Sequence, residues 1–333
     1  STIYPYLDKK YKLDNKVSYA YLPTKKLQDA SERILELRSK GYRYVCKADI
    51  EKFFDNINKN KLLKMIYDAL PDESLNKIIK AAVLNDIDSK DFQYYEYKTG
   101  KAYKYDRVVG IAQGSPLSPM LANLYLHDFD AELIKAGFEV IRYADDLLFM
   151  CKNKGDAEDQ FHFADKLLKK KKLHLYELRE QIPGKLWNKD ISKLSKITSM
   201  ENMEFLGLRF ASGKVYPANS SYKNVMKEIG KVSKNKTMHL TQKLSSINSR
   251  ITGWSSAFAF TTEEHERLVA NDIKLENVLT IMLKTHGLAK TKNVSTIEIF
   301  GLPTFVMPSS EAHKRKENKD TKKEEQAKEK ETK

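Results

Sequence analysis

The sequence predicts a mixed α+β region that gives way to an all-α region near residue 217. Strand-like patterns recur up to that point, as alternation at Tyr42–Ile50, as two apolar runs that flank Asp145 and Asp146, and as a hairpin pattern in MEFLGLRFASGKVYP. From Ser221 onward apolar residues recur at helical spacing instead. A chain of 333 residues with 41% hydrophobic content is long and apolar enough for two or three domains with cores of their own.

Taken in order, Tyr4–Thr24 is aromatic and irregular. Lys25–Lys40 then sets Leu27, Ala30, Ile34 and Leu37 at helical spacing ahead of Gly41, a helix that ends at a glycine. Next, Tyr42, Tyr44, Cys46 and Ala48 alternate with Arg43, Val45, Lys47 and Asp49, a strand with Asp49 at its end. Helices are expected over Lys59–Ala69 and Glu73–Val83, followed by a tyrosine-rich hairpin, QYYEYKTGKAYKYDRVV, turning at Thr99 and Gly100. The loop GIAQGSPLSP, Gly110–Pro119, leads into an apolar helix from Met120 to Leu133. In VIRYADDLLFMC, Val140–Cys151, two strand-like runs enclose residues that strands avoid, so Asp145 and Asp146 are expected at a hairpin tip. A basic helix over Ala157–Lys172, a strand-like KLHLYEL and a hairpin turning at Ser212 and Gly213 complete the α+β part. Helical spacing then links Tyr222, Val225, Met226 and Ile229, and after them Leu240, Leu244, Ile247, Ile251 and Trp254.

Charge points to the kind of partner. Lys and Arg number 59 against 45 Asp and Glu, a net +14 that favours a polyanion. Part of that excess lies in Glu311–Lys333, a mixed Lys/Glu segment without apolar periodicity, read as disordered. No apolar run approaches the roughly 20 residues of a membrane span, and the N-terminus lacks a signal-peptide pattern, so a cytoplasmic protein without membrane contact is expected. Cys46 and Cys151 both fall in apolar strands and read as buried free thiols suited to a reducing compartment. Ser1 stands where an initiator Met would, so a native chain beginning further upstream is expected.

Neighbouring strands would bring the carboxylates of Asp49, Asp145 and Asp146 together. Clustered carboxylates repel and one tends to protonate, whereas a hard divalent cation reverses that preference. Mg²⁺ suits such a site, with Mn²⁺ as a substitute, because it takes few protein carboxylates and leaves positions for water and phosphates. Two such ions support in-line nucleotidyl transfer. By itself, an Asp-Asp pair also reads as an ordinary solvated turn.

Four ordered runs carry a family resemblance: KADIEKFFDNI at Lys47–Ile57, AQGSPLSPMLANLYL at Ala112–Leu126, RYADD at Arg142–Asp146, and EFLGLRF at Glu204–Phe210. They resemble the palm motifs of reverse transcriptases, and QGSPLSPMLANLYLH resembles the group II intron branch and its bacterial relatives. NKVSYAYLPTKK at Asn15–Lys26 is similar to the segment before the palm in that branch, and ITGWSSAFAF at Ile251–Phe260 to its thumb signature.

The resemblance implies a right-hand polymerase: a remnant of fingers over residues 1–40, a palm over 41–216, a helical thumb over 217–305 and a tail over 306–333. It implies RNA-directed DNA synthesis from dNTPs on an RNA template with a DNA or RNA primer. Asp49, Asp145 and Asp146 become the catalytic carboxylates and, with the Ile50 carbonyl, the ligands of two Mg²⁺ ions. Phe54 matches the aromatic that excludes a ribose 2′-hydroxyl. Gln113 and Gly114 match the loop beside the incoming nucleotide, and Phe205, Leu206 and Gly207 match the primer grip. Taken without the motifs, Phe54, Phe205 and Leu206 read as core packing. Lys223, Lys227, Lys231 and Lys234 form a basic stripe opposite Tyr222, Val225 and Ile229 that could track duplex phosphates, or be a plain solvated face.

The chain also departs from the pattern. The fingers hairpin that normally precedes SYAYLP has no room here, so it is expected to be missing or supplied by a second protein or a structured noncoding RNA. Ala20 and Leu22 stand where the family has a glycine and an arginine. The lysine expected after the YADD hairpin has no equivalent in LHLYELREQ. Two competing readings stay open: an intron RNA-binding maturase, and a domesticated reverse transcriptase in anti-phage defence.

Overall fold

The computed structural model describes residues 2–84, 108–112, 114–179, 194–201, 203–288 and 296–305. The expected tyrosine-rich hairpin falls almost wholly outside these residues, as do Gln113 and the charged tail. The chain divides into two compact units, residues 1–201 and 202–333. The strands over 203–217, placed by sequence with the palm, therefore cluster with the helices that follow them.

In the first unit, α1 (Tyr4–Tyr11), α2 (Leu27–Ser39), β1 (Tyr44–Asp49), α3 (Phe53–Asn56), α4 (Lys59–Ala69) and α5 (Asn76–Leu84) precede α6 (Ser118–Lys135). Then come β2 (Glu139–Tyr143), β3 (Asp146–Cys151), α7 (Lys154–Lys169) and β4 (Lys196–Ser199). The sheet has the order β2-β3-β1-β4, with antiparallel pairing throughout. Leu147 to Met150 are fully buried in β3, which is why that run reads as continuously apolar and not as alternating. Each such side chain contributes about 1.5–3 kcal/mol of burial free energy. Leu147 and Phe149 lie opposite Ala48 and Cys46, and all four join the core formed with α4, α6 and α7. Cys46 and Cys151 are buried and not disulfide-bonded, as expected, and burial pushes Cys151 up to about 12.

Two expectations need correction. Tyr4–Tyr11 is helical, begun by Pro5 in the first turn, where a missing N–H costs nothing. KLHLYEL forms isolated bridges, Ile50 with Leu175 and Leu178 with Ser195, in place of a strand.

The second unit opens with β5 (Met203–Phe205), β6 (Leu208–Ala211) and β7 (Lys214–Pro217), a three-stranded antiparallel meander. The turn at Ser212 and Gly213 lies where it is expected, whereas the one at Leu206 and Gly207 is not anticipated, because a leucine at positive φ leaves Gly207 as a lone glycine inside an apolar strand-like run. The helices α8 (Asn219–Ser233), α9 (Leu240–Phe258), α10 (His265–Thr285) and α11 (Thr296–Ile299) follow. Tyr222, Val225 and Ile229 of α8 pack with Ile247 and Ile251 of α9 and Leu275 and Leu279 of α10. Trp254 is the aromatic hub, with its ring centroid 4.8 Å from Tyr222, 5.0 Å from Phe258 and 5.2 Å from Phe305.

Candidate active site

Strand alternation decides where the acidic residues point. Cys46, Ala48 and Ile50 of the β1 segment face the helical core, so Lys47 and Asp49 face the other side of the sheet. Asp49 lies directly opposite Asp146 in the β1–β3 register, and cross-strand partners share a face. The Ile50 N–H donates to the Asp145 carbonyl at 3.3 Å, tying the hairpin turn to the end of β1.

That turn consists of Ala144 and Asp145. Asp146 is already the first residue of β3, one step off the expected tip. Ala144 has φ 61°, a left-handed conformation that a Cβ disfavours and that two-residue hairpin turns demand. An alanine there gives no sequence warning.

The carboxyls are in an environment that resists charge. Burial, and then the charges of Asp145 and Asp146, push Asp49 up to about 7. Burial also raises Asp145, against the opposing pull of a backbone N–H, of the neighbouring Asp49 and of the Arg142 charge. The exposed Asp146 is raised too, by partial desolvation and then by Asp145. Asp49 and Asp145 are electrostatically coupled, while the buried Oδ1 of Asp49 has no hydrogen-bond partner among the described residues. A bound cation would stabilise the charged carboxylates and give the Asp49 oxygen a partner.

Among the described residues no three His, Cys, Asp or Glu side chains close into a cage. An open pair of carboxyls is what Mg²⁺ uses when waters and substrate phosphates fill its other positions. Asp49 and Asp145 fit that role as the pair in contact, with Asp146 beside them on the rim. Ile50 is buried, with its N–H committed to the turn.

Phe53 and Phe54 divide two jobs. Phe53 is only 1% exposed and belongs to the core, whereas Phe54 is half-buried against it, the rings meeting edge-on at 5.6 Å. The Phe54 carbonyl accepts the Ile111 N–H at 2.9 Å, which pins the following loop to α3. Within that loop Gly114 has φ +85° with open space where a Cβ would lie, so the glycine serves conformation and not close approach. Gln113 lies outside the described residues.

In the second unit, Phe205 is buried at the end of β5 and Leu206 is half-buried at φ 53°. Gly207 has φ +74°, and a Cβ there would meet Ser221 Oγ at 2.7 Å, so a larger residue would be strained and would force the serine to move. Lys223, Lys227, Lys231 and Lys234 are all exposed, and Lys231 pairs with Glu228 at 2.6 Å.

Sequence reading missed one group altogether. Ser18, Asn123, Asp130 and Arg142 form a buried polar network beneath the Ala144–Asp145 turn. Its only sequence signals are an arginine inside the apolar run VIRY and two polar residues inside an apolar helix.

The family model described as reverse transcriptase (RNA-dependent DNA polymerase) matches residues 2–210. An uncharacterised 91 kDa protein in the cob intron of Schizosaccharomyces pombe is 33% identical over 129 residues, 38% of this chain and 14% of that protein. The group II intron-encoded protein LtrA of Lactococcus lactis subsp. cremoris is 31% identical over 118 residues, 34% of this chain and 17% of that protein. The chain thus aligns with less than a fifth of the length of either relative. A telomerase structure from Candida tropicalis superposes with a TM-score of 0.44 at 15% identity, over 65% of this chain and 44% of that one. A partial Cas6-RT-Cas1–Cas2 complex is 32% identical with a TM-score of 0.24, over 46% of this chain and 25% of that one.

Proposed function

The chain belongs to the reverse transcriptase (RNA-dependent DNA polymerase) family, and from that membership we propose that it extends a primer 3′-hydroxyl with dNTPs under the direction of an RNA template. One observation carries the reading: Asp49 ends β1 opposite Asp146 and is coupled to Asp145 in the adjoining turn, with a buried Asp49 carboxylate oxygen left without a partner among the described residues. The family works with divalent metal ions, and we assign two Mg²⁺ ions, replaceable by Mn²⁺, to Asp49 and Asp145, with Asp146 and the Ile50 carbonyl at the margin. When bound, such ions favour the attacking alkoxide and neutralise charge on the departing pyrophosphate.

The remaining roles fall to the chain itself. Asp49 and Asp145 orient the triphosphate end, and Phe54 lies under the sugar as a barrier to a 2′-hydroxyl. Gln113 and Gly114 flank the nucleotide. Phe205, Leu206 and Gly207 hold the primer end, and Lys223, Lys227, Lys231 and Lys234 follow duplex phosphates. Residues 1–40 serve as a remnant of the fingers, 41–216 as palm and 217–305 as thumb. No described helix is long and apolar enough to cross a membrane.

Asp49→Asn and Asp145→Asn test the reading. Each is expected to abolish primer extension in Mg²⁺ or Mn²⁺ while leaving RNA affinity unchanged, because these carboxyls hold metal and not nucleic acid. Appreciable extension by either variant overturns it. Identity to two intron-encoded proteins supports a second reading, an intron RNA-binding cofactor in which synthesis is secondary. Tight RNA binding by a wild-type protein that incorporates no dNTP would select that one.

A further inference from the structure

Arg142 is a fully buried arginine on β2, and all five of its guanidinium N–H groups are engaged. Nε donates to Asp130 Oδ1 at 2.6 Å, and Nη2 donates to Asp130 Oδ2 at 2.5 Å and to Ser18 Oγ at 2.9 Å. Nη1 donates to Asn123 Oδ1 at 3.0 Å and to the Ala144 carbonyl at 3.1 Å. Asn123 and Asp130 lie seven residues apart on α6, about two turns, so one helix face supplies both. Ser18 belongs to a segment that zips onto the backbone of Arg142. The Arg142 N–H donates to Val17 O at 2.8 Å, and the Tyr19 N–H donates to Arg142 O at 2.9 Å.

Four of the five bonds thus run to rigid, distant parts of the unit, and the fifth runs to the turn that carries Asp145. A buried ion pair kept only for packing has no use for that fifth bond, since apolar residues of similar volume fill such a space equally well. The bonded carbonyl belongs to Ala144, the residue held in the left-handed region, which has the most to gain from an external restraint. We infer that Arg142 is a positioning residue: it fixes the Ala144 carbonyl against α6 and the Val17–Tyr19 segment, and so sets where the Asp145 carboxylate stands. The functional consequence rests on the polymerase reading, and the geometric one does not.

The test uses the whole chain carrying Arg142→Met together with Asp130→Leu, which removes both buried charges at once and so avoids stranding either. Arg142→Lys is the companion. It keeps the charge beside Asp130, but one ammonium, with three N–H donors, cannot serve all five acceptor atoms. Hydrogen exchange across residues 143–147, the melting temperature, RNA affinity and single-turnover dNTP incorporation are measured together. Exchange at the turn should quicken about tenfold or more while residues 44–48 keep their protection. Incorporation should fall at least about tenfold, with a higher Mg²⁺ requirement and unchanged RNA affinity. A variant of wild-type melting temperature whose turn exchanges at the wild-type rate, or which incorporates at the wild-type rate, overturns the inference. If one of the two variants does not fold, the other is judged by the same criteria. If the wild-type protein incorporates nothing, the polymerase reading fails, and exchange at the turn still decides whether Arg142 holds it.

Discussion

A single protonation ties stability to the chemistry at Asp49. In the metal-free protein its pKa is about 7, well above the value of about 4 expected in an unfolded chain. Between those values the folded state binds the proton and the unfolded state does not, so stability falls as pH rises from about 4 through about 7. The melting temperature of metal-free protein should therefore drop between pH 5 and pH 8. Asp49→Asn should flatten that drop, and Mg²⁺ should partly restore what the wild type loses. A pH-independent melting temperature in the wild type would contradict this account. Phe54 makes a second, separable case. If its half-buried ring blocks the 2′-hydroxyl, Phe54→Val should raise rNTP incorporation far more than it lowers dNTP incorporation. Truncating the neighbouring core residue, Phe53→Ala, should instead cost about 3–5 kcal/mol of stability and depress both sugars alike. Matched single-turnover assays beside melting curves separate the two.

At the scale of elements, alternation and turn chemistry made β1, the β2–β3 hairpin and α4 readable from sequence, and with them the approach of Asp49 to Asp145. Local signals failed where partners are remote or turns use the wrong residues. Arg142 finds Ser18 across 124 positions, which no periodicity encodes. The turns at Ala144 and Leu206 put side chains where glycine or asparagine is usual, so the tip of one hairpin was read a residue late and the other was not seen. The basic face of α8 was legible as a stripe, but its purpose was not, because a solvated face has the same pattern. Replacing Lys223, Lys227 and Lys231 with Gln should weaken duplex binding and reduce the salt slope by roughly 0.7 to 0.9 for each lysine that meets a phosphate. An unchanged slope would return the helix to plain solvation.

On the scale of the whole molecule, composition indicated a basic, folded, multi-part protein, and the two units answer to that. Composition could not place the division, because the meander over 203–217 is strand by pattern and yet falls in the same unit as the helices that follow it. The first unit also shows how an open sheet is finished. β2 lies at the end of the strand order, and Val17–Tyr19 hydrogen-bonds along its outer side. An uncovered outer strand offers its amides and carbonyls to any other chain. Removing the first 20 residues would therefore do more than loosen Arg142: it would turn β2 into a template for strand pairing between molecules. Such a truncation should self-associate with rising concentration in light scattering, where the full chain stays dispersed, and a charged residue on the outer side of β2 should restore dispersion. The segment that hydrogen-bonds to Arg142 beside the Ala144–Asp145 turn is in this sense also a cover for the sheet's outer edge.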